Sequence, residues 1–242
     1  MRIHYLQHVP FEGPANIAGW ADRKGHSLSG THLYNGEAAP AADQFDWLII
    51  MGGPMNIYEE DKYPWLADEK KFIREAIDKD KAVLGICLGA QLITDVLGGR
   101  VTQNPEREIG WLPVTFHAEA LKSPLFKGFP ENPYVFQWHG DTFSTLGAGA
   151  SCIAGSEACG HQAFIYKELV IGFQFHLESS EESIASLMSH CANEMTGGRY
   201  VQTEKQIRSG EGFLKTANSL MYDFLDKLES YFSEKEWAGW SK

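Results

Sequence analysis

The sequence has no long apolar run. Among its 242 residues, no stretch approaches the roughly 18 consecutive apolar residues that a membrane-spanning helix requires. Residues 1–9 also lack the extended apolar core of a signal peptide, and their pattern predicts a strand. These absences argue against an integral membrane protein, and they predict a cytoplasmic protein with no membrane partner.

Clusters of basic residues are missing as well. Lysine and arginine together number 21, against 32 aspartates and glutamates, so the formal net charge is −11. A surface that binds nucleic acid needs grouped Lys and Arg side chains to neutralise phosphates. Nucleic acid is therefore not expected as a partner.

The sequence is also poor in cysteine. Its four cysteines, Cys87, Cys152, Cys159 and Cys191, include no C-x-x-C pair. A reducing compartment would keep them as thiols, and their spacing predicts neither a disulfide framework nor a structural zinc site. Neither a metal nor a cofactor is predicted.

Short apolar runs alternate with amphipathic segments along the chain. This alternation is typical of an α/β fold in which helices flank a mainly parallel sheet. Buried strands are predicted at residues 3–9, 47–51, 82–86 and 170–175, and helices at residues 67–78, at residues 181–195 and in a segment ending near residue 97. Residues 10–44 are rich in Gly, Ala and Pro and are expected to be largely loop. Residues 101–170 are expected to form several shorter strands and loops.

The last segment, residues 196–242, is predicted to be a helical extension of a domain formed by residues 1–195. Residues 196–198 (T-G-G) interrupt the preceding helix, and a final helix is expected from about residue 212 to residue 232. Apolar side chains recur along it at three- and four-residue spacing: Phe213, Ala217, Leu220, Met221, Phe224, Leu225, Leu228 and Tyr231. We interpret this stripe as a face packed on the protein's own domain, with a partner-binding helix as the alternative.

One cysteine lies between two glycines, in residues 85–91 (G-I-C-L-G-A-Q). The pattern Gly85-x-Cys87-x-Gly89 has the form of a nucleophile elbow with Cys in place of Ser. Flanking glycines let the neighbouring backbone pack closely around such a turn. The N-terminus of the following helix favours a thiolate, and its N–H groups can stabilise an oxyanion. The alternative is a small buried cysteine at a glycine-rich turn.

A thiolate nucleophile needs a histidine, which a third polar group commonly orients. His176 directly follows a predicted buried strand, where parallel sheets place their ligands, and Glu178 lies on the same side of an extended chain. His139 is the rival base, expected in a loop that no buried strand precedes. A metal site of His139, Asp141, His176 and Glu178 is a further alternative, which no ligand spacing supports.

Three ordered motifs resemble those of the class I (triad-type) glutamine amidotransferases. Residues 51–55 (M-G-G-P-M) look like that family's glycine-rich oxyanion strand, residues 85–91 like its nucleophile motif, and residues 172–178 (G-F-Q-F-H-L-E) like its His-x-Glu motif. The resemblance covers about residues 1–195 and implies a flavodoxin-like fold. Further stretches are similar to free-standing, GMP-synthase-like amidotransferases: residues 52–58 (G-G-P-M-N-I-Y), 108–111 (E-I-G-W), 137–141 (Q-W-H-G-D) and the C-terminal tail at 200–232.

The resemblance implies a catalytic role for five residues. Cys87 attacks the side-chain amide carbon of glutamine and forms a γ-glutamyl thioester. His176 moves protons, and Glu178 orients His176. The N–H groups of Gly53 and Leu88 hold the oxyanion of the tetrahedral intermediate.

The resemblance also implies substrate contacts. Gly52 and Gln91 help bind the substrate, and the backbone around Trp138 and His139 holds its α-amino or α-carboxylate end. One departure from the family pattern is Leu177, where the family usually has proline between the His and the Glu. The change loosens the constraint on this loop but removes no catalytic group.

Three functions compete. The first is an amidotransferase that hydrolyses glutamine and passes ammonia to an acceptor, which a synthetase partner could carry. A fused synthetase module is not expected, because the chain has neither an S-G-G-x-D-S stretch nor a Walker A motif. The second is a γ-glutamyl hydrolase or peptidase that uses the same triad. The third is a binding or regulatory protein with a decayed site, against which the intact motifs argue.

Overall fold

The computed structural model describes the backbone of residues 1–240 and the side chains of residues 1–234. In chain order, the first half contains β1 (Arg2–Gln7), α1 (Asn16–Arg23), β2 (Ser27–His32), β3 (Trp47–Ile50), α2 (Trp65–Asp78), β4 (Ala82–Ile86) and α3 (Leu88–Val96). The second half contains β5 (Arg100–Pro113), β6 (Thr115–Phe116), α4 (Ala118–Lys122), β7 (Tyr134–Thr145), β8 (Ala150–Gly155), β9 (Ala163–Tyr166), β10 (Val170–Phe173), α5 (Glu181–His190), α6 (Glu204–Arg208) and α7 (Glu211–Trp240). Short 3-10 turns lie at Leu33–Asn35 and Ala192–Glu194.

One large sheet organises these elements. Its strand order is β2-β1-β3-β4-β10-β9-β8-β6, and the five strands from β2 to β10 run parallel. The remaining three pair antiparallel. Every residue of β3, β4 and β10 is buried, as expected for central strands covered by helices on both faces. The predicted α/β fold with a mainly parallel sheet is confirmed.

Residues 10–44 are more regular than their composition predicted. They form α1 and β2 in place of the expected loop. Trp20 of α1 stacks on Trp47 of β3 with ring centroids 5.7 Å apart, and its indole N–H donates to Asp226 of α7. These tertiary contacts hold a helix whose N-cap, Ala15, makes no side-chain hydrogen bond.

Residues 101–170 also differ from the prediction, because they contain two long strands. β5 and β7 form a separate antiparallel two-stranded sheet whose register shifts between Gln103 and Glu108. The shift marks an irregularity that breaks a simple two-residue period. A backbone bond from His176 N–H to the Phe136 carbonyl (2.8 Å) ties this sheet to the end of β10.

The C-terminal helix α7 packs on the rest of the chain. Phe224 stacks on Phe126, and its ring centroid lies 5.1 Å from that of Phe173 in β10. Six residues of the predicted stripe are buried: Ala217, Leu220, Met221, Phe224, Leu225 and Leu228. Tyr231 is partly buried, and Leu214 and Phe232 are buried beside the stripe. Phe213 is 40 % exposed and stacks on Tyr134 instead. The predicted helix packed on its own domain is therefore present, and the division at residue 195 stays a prediction. None of the helices described within residues 1–240 has the length and apolar character needed to cross a bilayer.

Candidate active site

Cys87 lies on a strained turn between β4 and α3. Its backbone has φ 52° and ψ −108°, a left-handed conformation that is unfavourable for a residue with a Cβ atom. The Cys87 N–H donates to the Phe173 carbonyl at 2.8 Å, so the turn is anchored to β10. The thiol is therefore presented at the carboxyl edge of the parallel sheet, where such folds bind ligands.

The two glycines around Cys87 are required by close packing. A Cβ atom at Gly85 would lie 2.6 Å from the backbone of Gly89, and a Cβ at Gly89 would collide with the Ile50 carbonyl of β3. Both contacts are with backbone, which cannot move aside easily. The G-x-C-x-G pattern thus has the steric cause expected from the sequence: side chains at positions 85 and 89 would clash with neighbouring backbone.

His176 and Glu178 form a buried pair in the segment that follows β10, three and five residues beyond Phe173. The Nδ1 atom of His176 lies 2.7 Å from Oε1 of Glu178, and the two side chains are 4 % and 6 % exposed. Because Nδ1 donates to the carboxylate, Nε2 is the nitrogen that can face the thiol of Cys87. The His-x-Glu spacing predicted that the carboxylate could reach the imidazole, and the two side chains are in contact.

The thiol and the imidazole influence each other's charge. Burial raises the pKa of the Cys87 thiol, while a hydrogen bond with His176 and the charge of His176 lower it. Burial alone would lower the pKa of His176, but the charge of Glu178 and hydrogen bonds to Cys87 and Glu178 raise it well above its usual value. Glu178 therefore favours the protonated form of the imidazole, and His176 in turn favours the thiolate form of Cys87.

The glycine loop after β3 lies against the elbow. A Cβ atom at Gly52 would lie 3.6 Å from Cβ of Cys87 and 3.4 Å from Cε1 of His176. A Cβ atom at Gly53 would lie 3.0 Å from Cδ2 of Leu88, the first residue of α3. The two segments predicted to supply oxyanion donors are therefore neighbours beside the thiol.

Gln91 and Trp138 also reach the site. The side-chain amide of Gln91 donates to the Asp141 carbonyl and to Oε1 of Gln174, each at 3.2 Å. The carbonyl of Trp138 lies 3.7 Å from the Cys87 sulfur and accepts from the thiol. Both residues therefore lie close to the thiol, and their roles in substrate binding stay predictions.

His139 is held by a different carboxylate. Its Nε2 atom lies 3.0 Å from Oε2 of Glu108, and its Nδ1 donates to the Asp141 carbonyl at 3.0 Å. The expectation that His139 sits in a loop is wrong, because it belongs to β7. Among the side chains described, no three His, Cys, Asp or Glu residues are arranged to hold a metal ion, so the alternative metal site that includes His176 is not formed.

A cavity of about 440 Å³ opens beside the thiol. Its wall includes Cys87, Gln91, Trp138, His139 and Asp141. Three further charged side chains that were not expected there also line it: Glu12, Arg107 and Glu194. Arg107 and Glu194 form an ion pair on this wall, with 3.6 Å between Nη1 and Oε2. The site is thus a polar cleft.

Glu12 and Gln174 are two site residues that sequence reasoning missed. Burial raises the pKa of Glu12 from 4.5 to about 7, against the lowering charges of His176 and His8. Glu12 lies in a loop without periodicity, so no local pattern could have identified it. Gln174 donates to the Cys87 sulfur at 3.6 Å. Its position two residues before His176, in an otherwise apolar strand, was a usable signal.

Two asparagines hold the loop that carries Glu178. Asn218 of α7 donates to the carbonyls of Leu177 (3.1 Å) and Ser179 (2.8 Å). Asn16 donates its backbone N–H to the Glu178 carbonyl at 3.0 Å and its side chain to Ser179 at 2.7 Å. The loop is therefore fixed by hydrogen bonds at the position where the family usually has proline.

Comparison with known proteins decides the family. The profile of the family described as glutamine amidotransferase class-I matches residues 28–192. This chain belongs to the class I glutamine amidotransferases. It is 35 % identical over 242 residues to the glutamine amidotransferase-like protein YfeJ of Salmonella typhimurium, covering 97 % of this chain and 100 % of YfeJ.

Two further relatives of this class I amidotransferase bear on its organisation. It is 36 % identical over 132 residues to the glutamine-hydrolysing GMP synthase of Caldicellulosiruptor saccharolyticus. That alignment covers 54 % of this chain but only 24 % of the GMP synthase. Its fold superposes on the crystal structure of a glutamine amidotransferase from Thermotoga maritima with a TM-score of 0.84, at 29 % identity, over 94 % of this chain and 97 % of that one. The alignment therefore spans about a quarter of the GMP synthase, all of YfeJ and nearly all of the Thermotoga maritima protein.

Proposed function

We propose that this protein hydrolyses the side-chain amide of L-glutamine through a thioester on Cys87. The observation that carries the proposal is the strained elbow that presents Cys87 next to the buried His176–Glu178 pair, whose Nδ1–Oε1 distance is 2.7 Å. A nucleophile, a base and a group orienting the base are the elements of a thiol hydrolase. Membership in a family of glutamine amidotransferases supports glutamine as the substrate.

In the first half-reaction, the Cys87 sulfur attacks the amide carbon of glutamine while its proton passes to His176. The resulting oxyanion accepts hydrogen bonds from the N–H groups of Gly53 and Leu88. His176 then gives the proton to the amide nitrogen, the C–N bond breaks, and ammonia leaves. Glu178 stabilises the imidazolium that exists between these two transfers.

In the second half-reaction, water attacks the γ-glutamyl thioester. His176 takes a proton from the water, and the same two N–H groups hold the second oxyanion. When the C–S bond breaks, the thiolate of Cys87 recovers the proton and glutamate is released. Water and glutamine are thus converted to ammonia and glutamate with no net change in the protein.

A γ-glutamyl hydrolase is the second candidate, and the size of the cleft favours it. A cavity of about 440 Å³ lies within the range of about 300–1,000 Å³ that is usual for drug-sized ligands. The cleft therefore has room for a substituent on the γ-nitrogen. The chemistry would be identical, with an amine leaving in place of ammonia.

Release of ammonia raises the question of its acceptor. GMP synthase is a relative that carries its glutamine-hydrolysing part within a longer chain, and this protein matches only 24 % of that chain. We therefore propose a separate acceptor or synthetase protein as the partner of the glutaminase reaction. The hydrolase reaction would need no such partner.

The test is glutamate release by the purified protein from L-glutamine and, in parallel, from γ-glutamyl amides and peptides. Cys87→Ala serves as the blank. Cys159→Ala serves as the matched control, because Cys159 is a buried cysteine that lies outside the cleft and is hydrogen-bonded to Thr142. Turnover of glutamine above the blank supports the glutaminase. Turnover of conjugates with poor use of glutamine supports the hydrolase. Labelling of Cys87 by an electrophilic glutamine analogue without turnover indicates a competent site that lacks its partner.

A further inference from the structure

A buried ion pair lies behind the glycine loop of the site. His8 directly follows β1, Glu69 belongs to α2, and both side chains are 0 % exposed. The Nε2 atom of His8 lies 2.9 Å from Oε1 of Glu69. Its Nδ1 atom lies 2.9 Å from the carbonyl oxygen of Gly52. The ring also stacks on Trp65, with centroids 5.5 Å apart, so its orientation is fixed on all sides.

The two hydrogen-bond partners determine the charge of His8. A carbonyl oxygen and a carboxylate oxygen can only accept, so both ring nitrogens must carry a hydrogen for both bonds to form. Burial alone would lower the pKa of His8, but the charge of Glu69, the hydrogen bonds to Glu69 and Gly52, and the charge of Glu12 raise it above its usual value. His8 is therefore an imidazolium with Glu69 as its counter-ion.

The Gly52 carbonyl and the Gly53 N–H belong to one planar peptide group. A cationic donor on the carbonyl oxygen fixes the plane of that group. It also draws electron density away from the amide nitrogen, which makes the N–H of Gly53 a stronger donor. The imidazolium thus acts, through one peptide bond, on the N–H to which the proposed mechanism assigns the oxyanion.

We propose that His8, held in its charged form by Glu69, is a positioning residue that orients and polarises the Gly52–Gly53 peptide for oxyanion binding. The inference rests on the proposed function, because it assigns a purpose to the oxyanion loop. It goes beyond that function in extending the working site to two residues that do not reach the cleft.

A purely structural role would not need the charge. Burying an ion pair carries a desolvation penalty that its attraction often fails to recover, so neutral packing would serve the fold as well. The same strand shows this alternative. His4 of β1 is also buried, but it bonds to the hydroxyls of Ser29 (2.8 Å) and Thr31 (2.9 Å), and burial lowers its pKa to about 4. His4, which bonds to no carbonyl of the site, is therefore neutral, in contrast to His8.

Glu69→Gln is the decisive variant, because it keeps the size of the side chain and an oxygen near His8 but removes the counter-ion. A neutral His8 can still donate from Nδ1 to the Gly52 carbonyl. In Glu69→Gln we expect kcat for the best substrate to fall about 10-fold, and in His8→Ala about 100-fold. KM is expected to stay within about two-fold of wild type in both variants. Loss of a whole oxyanion donor lowers kcat by about 100- to 1,000-fold, which sets the upper limit. His4→Gln is the matched control and is expected to leave kcat unchanged.

Two further readouts separate positioning from folding. Alkylation of Cys87 by iodoacetamide is a displacement at saturated carbon and forms no oxyanion, so its rate is expected to be unchanged in Glu69→Gln. NMR of the His8 ring nitrogens at pH 7.5 is expected to show both protonated in wild type and one protonated in Glu69→Gln. A neutral His8 in wild type overturns the inference even if no substrate is turned over. Equal losses of kcat and of the alkylation rate in Glu69→Gln would also overturn the inference, because they would indicate a structural role. Doubly protonated His8 in a protein that neither turns over a substrate nor is labelled at Cys87 by the glutamine analogue would count against the proposed function and not against the charge assigned to this pair.

Discussion

Replacing Glu12 by glutamine is predicted to make the protein more stable at alkaline pH but not at acidic pH. Burial raises the pKa of this carboxyl from 4.5 to about 7, and the charges of Glu178 and Glu194 add to the increase. Below about pH 4.5 the carboxyl is protonated in both the folded and the unfolded chain, so it has no effect on the free energy of unfolding. Between these two values only the folded chain keeps the proton, and stability falls as the pH rises.

The size of the effect follows from the same shift. A rise from 4.5 to about 7 corresponds to about 3 kcal/mol at about 1.36 kcal/mol per pKa unit. Glu12 is partly exposed at the wall of the cleft, and water screens part of its interaction with the neighbouring charges. We therefore expect Glu12→Gln to gain about 1–2 kcal/mol at pH 8 and close to nothing at pH 4.

Denaturant unfolding of wild type and variant at a series of pH values measures this difference. Groups that titrate elsewhere affect both proteins equally and cancel from it. Glu119→Gln, which changes an 85 % exposed glutamate of α4, is the control and is expected to show no pH-dependent difference. A Glu12→Gln difference that is constant from pH 4 to pH 8 would refute the reasoning, because the burial of a charge would then not be its cause.

Three predictions concern the reacting groups and their support. Cys87→Ala is expected to abolish turnover and leave the unfolding midpoint close to wild type; residual wild-type rates would exclude Cys87 as the nucleophile. Glu178→Gln is expected to lower kcat less than His176→Ala, because Glu178 orients the ring and transfers no proton; equal losses would contradict that division. Asn218→Ala removes two hydrogen bonds to the Glu178 loop, so we expect kcat to fall about 10-fold and stability by about 1 kcal/mol. Unchanged kcat in Asn218→Ala would show that the loop holds its shape unaided, and Ser219→Ala on the same helix is its control.

The central sheet was predictable because its strands carry strong local signals. The run 82–86 is continuous apolar sequence, and β4 has the same bounds. The predicted helix at 67–78 begins two residues earlier in the structure, at Trp65. The order of elbow, His and Glu at strand ends was enough to predict Cys87, His176 and Glu178 as neighbours, because parallel strands bring their carboxyl ends to one edge.

The rest could not be read from local pattern, because tertiary contacts determine it. The edge strand β2 (S-L-S-G-T-H) is polar and half-exposed, and it exists because it pairs with β1. The register shift between Gln103 and Glu108 interrupts the side-chain alternation of β5, so this long strand could not be recognised from its local pattern. Glu12 reaches the site from a loop, and only the fold brings it beside His176. His8 lies near the end of the predicted strand 3–9, but nothing local marks it out, because its charge depends on Glu69, 61 residues away.

The Glu178 loop shows how the C-terminal helix becomes part of the site. In the family pattern, proline between His and Glu restricts this loop covalently, and here Leu177 takes its place. Asn218 of α7 accepts from Asn16 while it donates to the carbonyls of Leu177 and Ser179, so the two asparagines hold both sides of Glu178, the residue proposed to orient His176. Hydrogen bonds from α7 thus take the place of the backbone restriction that a proline at position 177 would impose. Because α7 is anchored by apolar packing against β10, the strand that ends just before His176, the position of Glu178 depends on that packing as well as on its own loop.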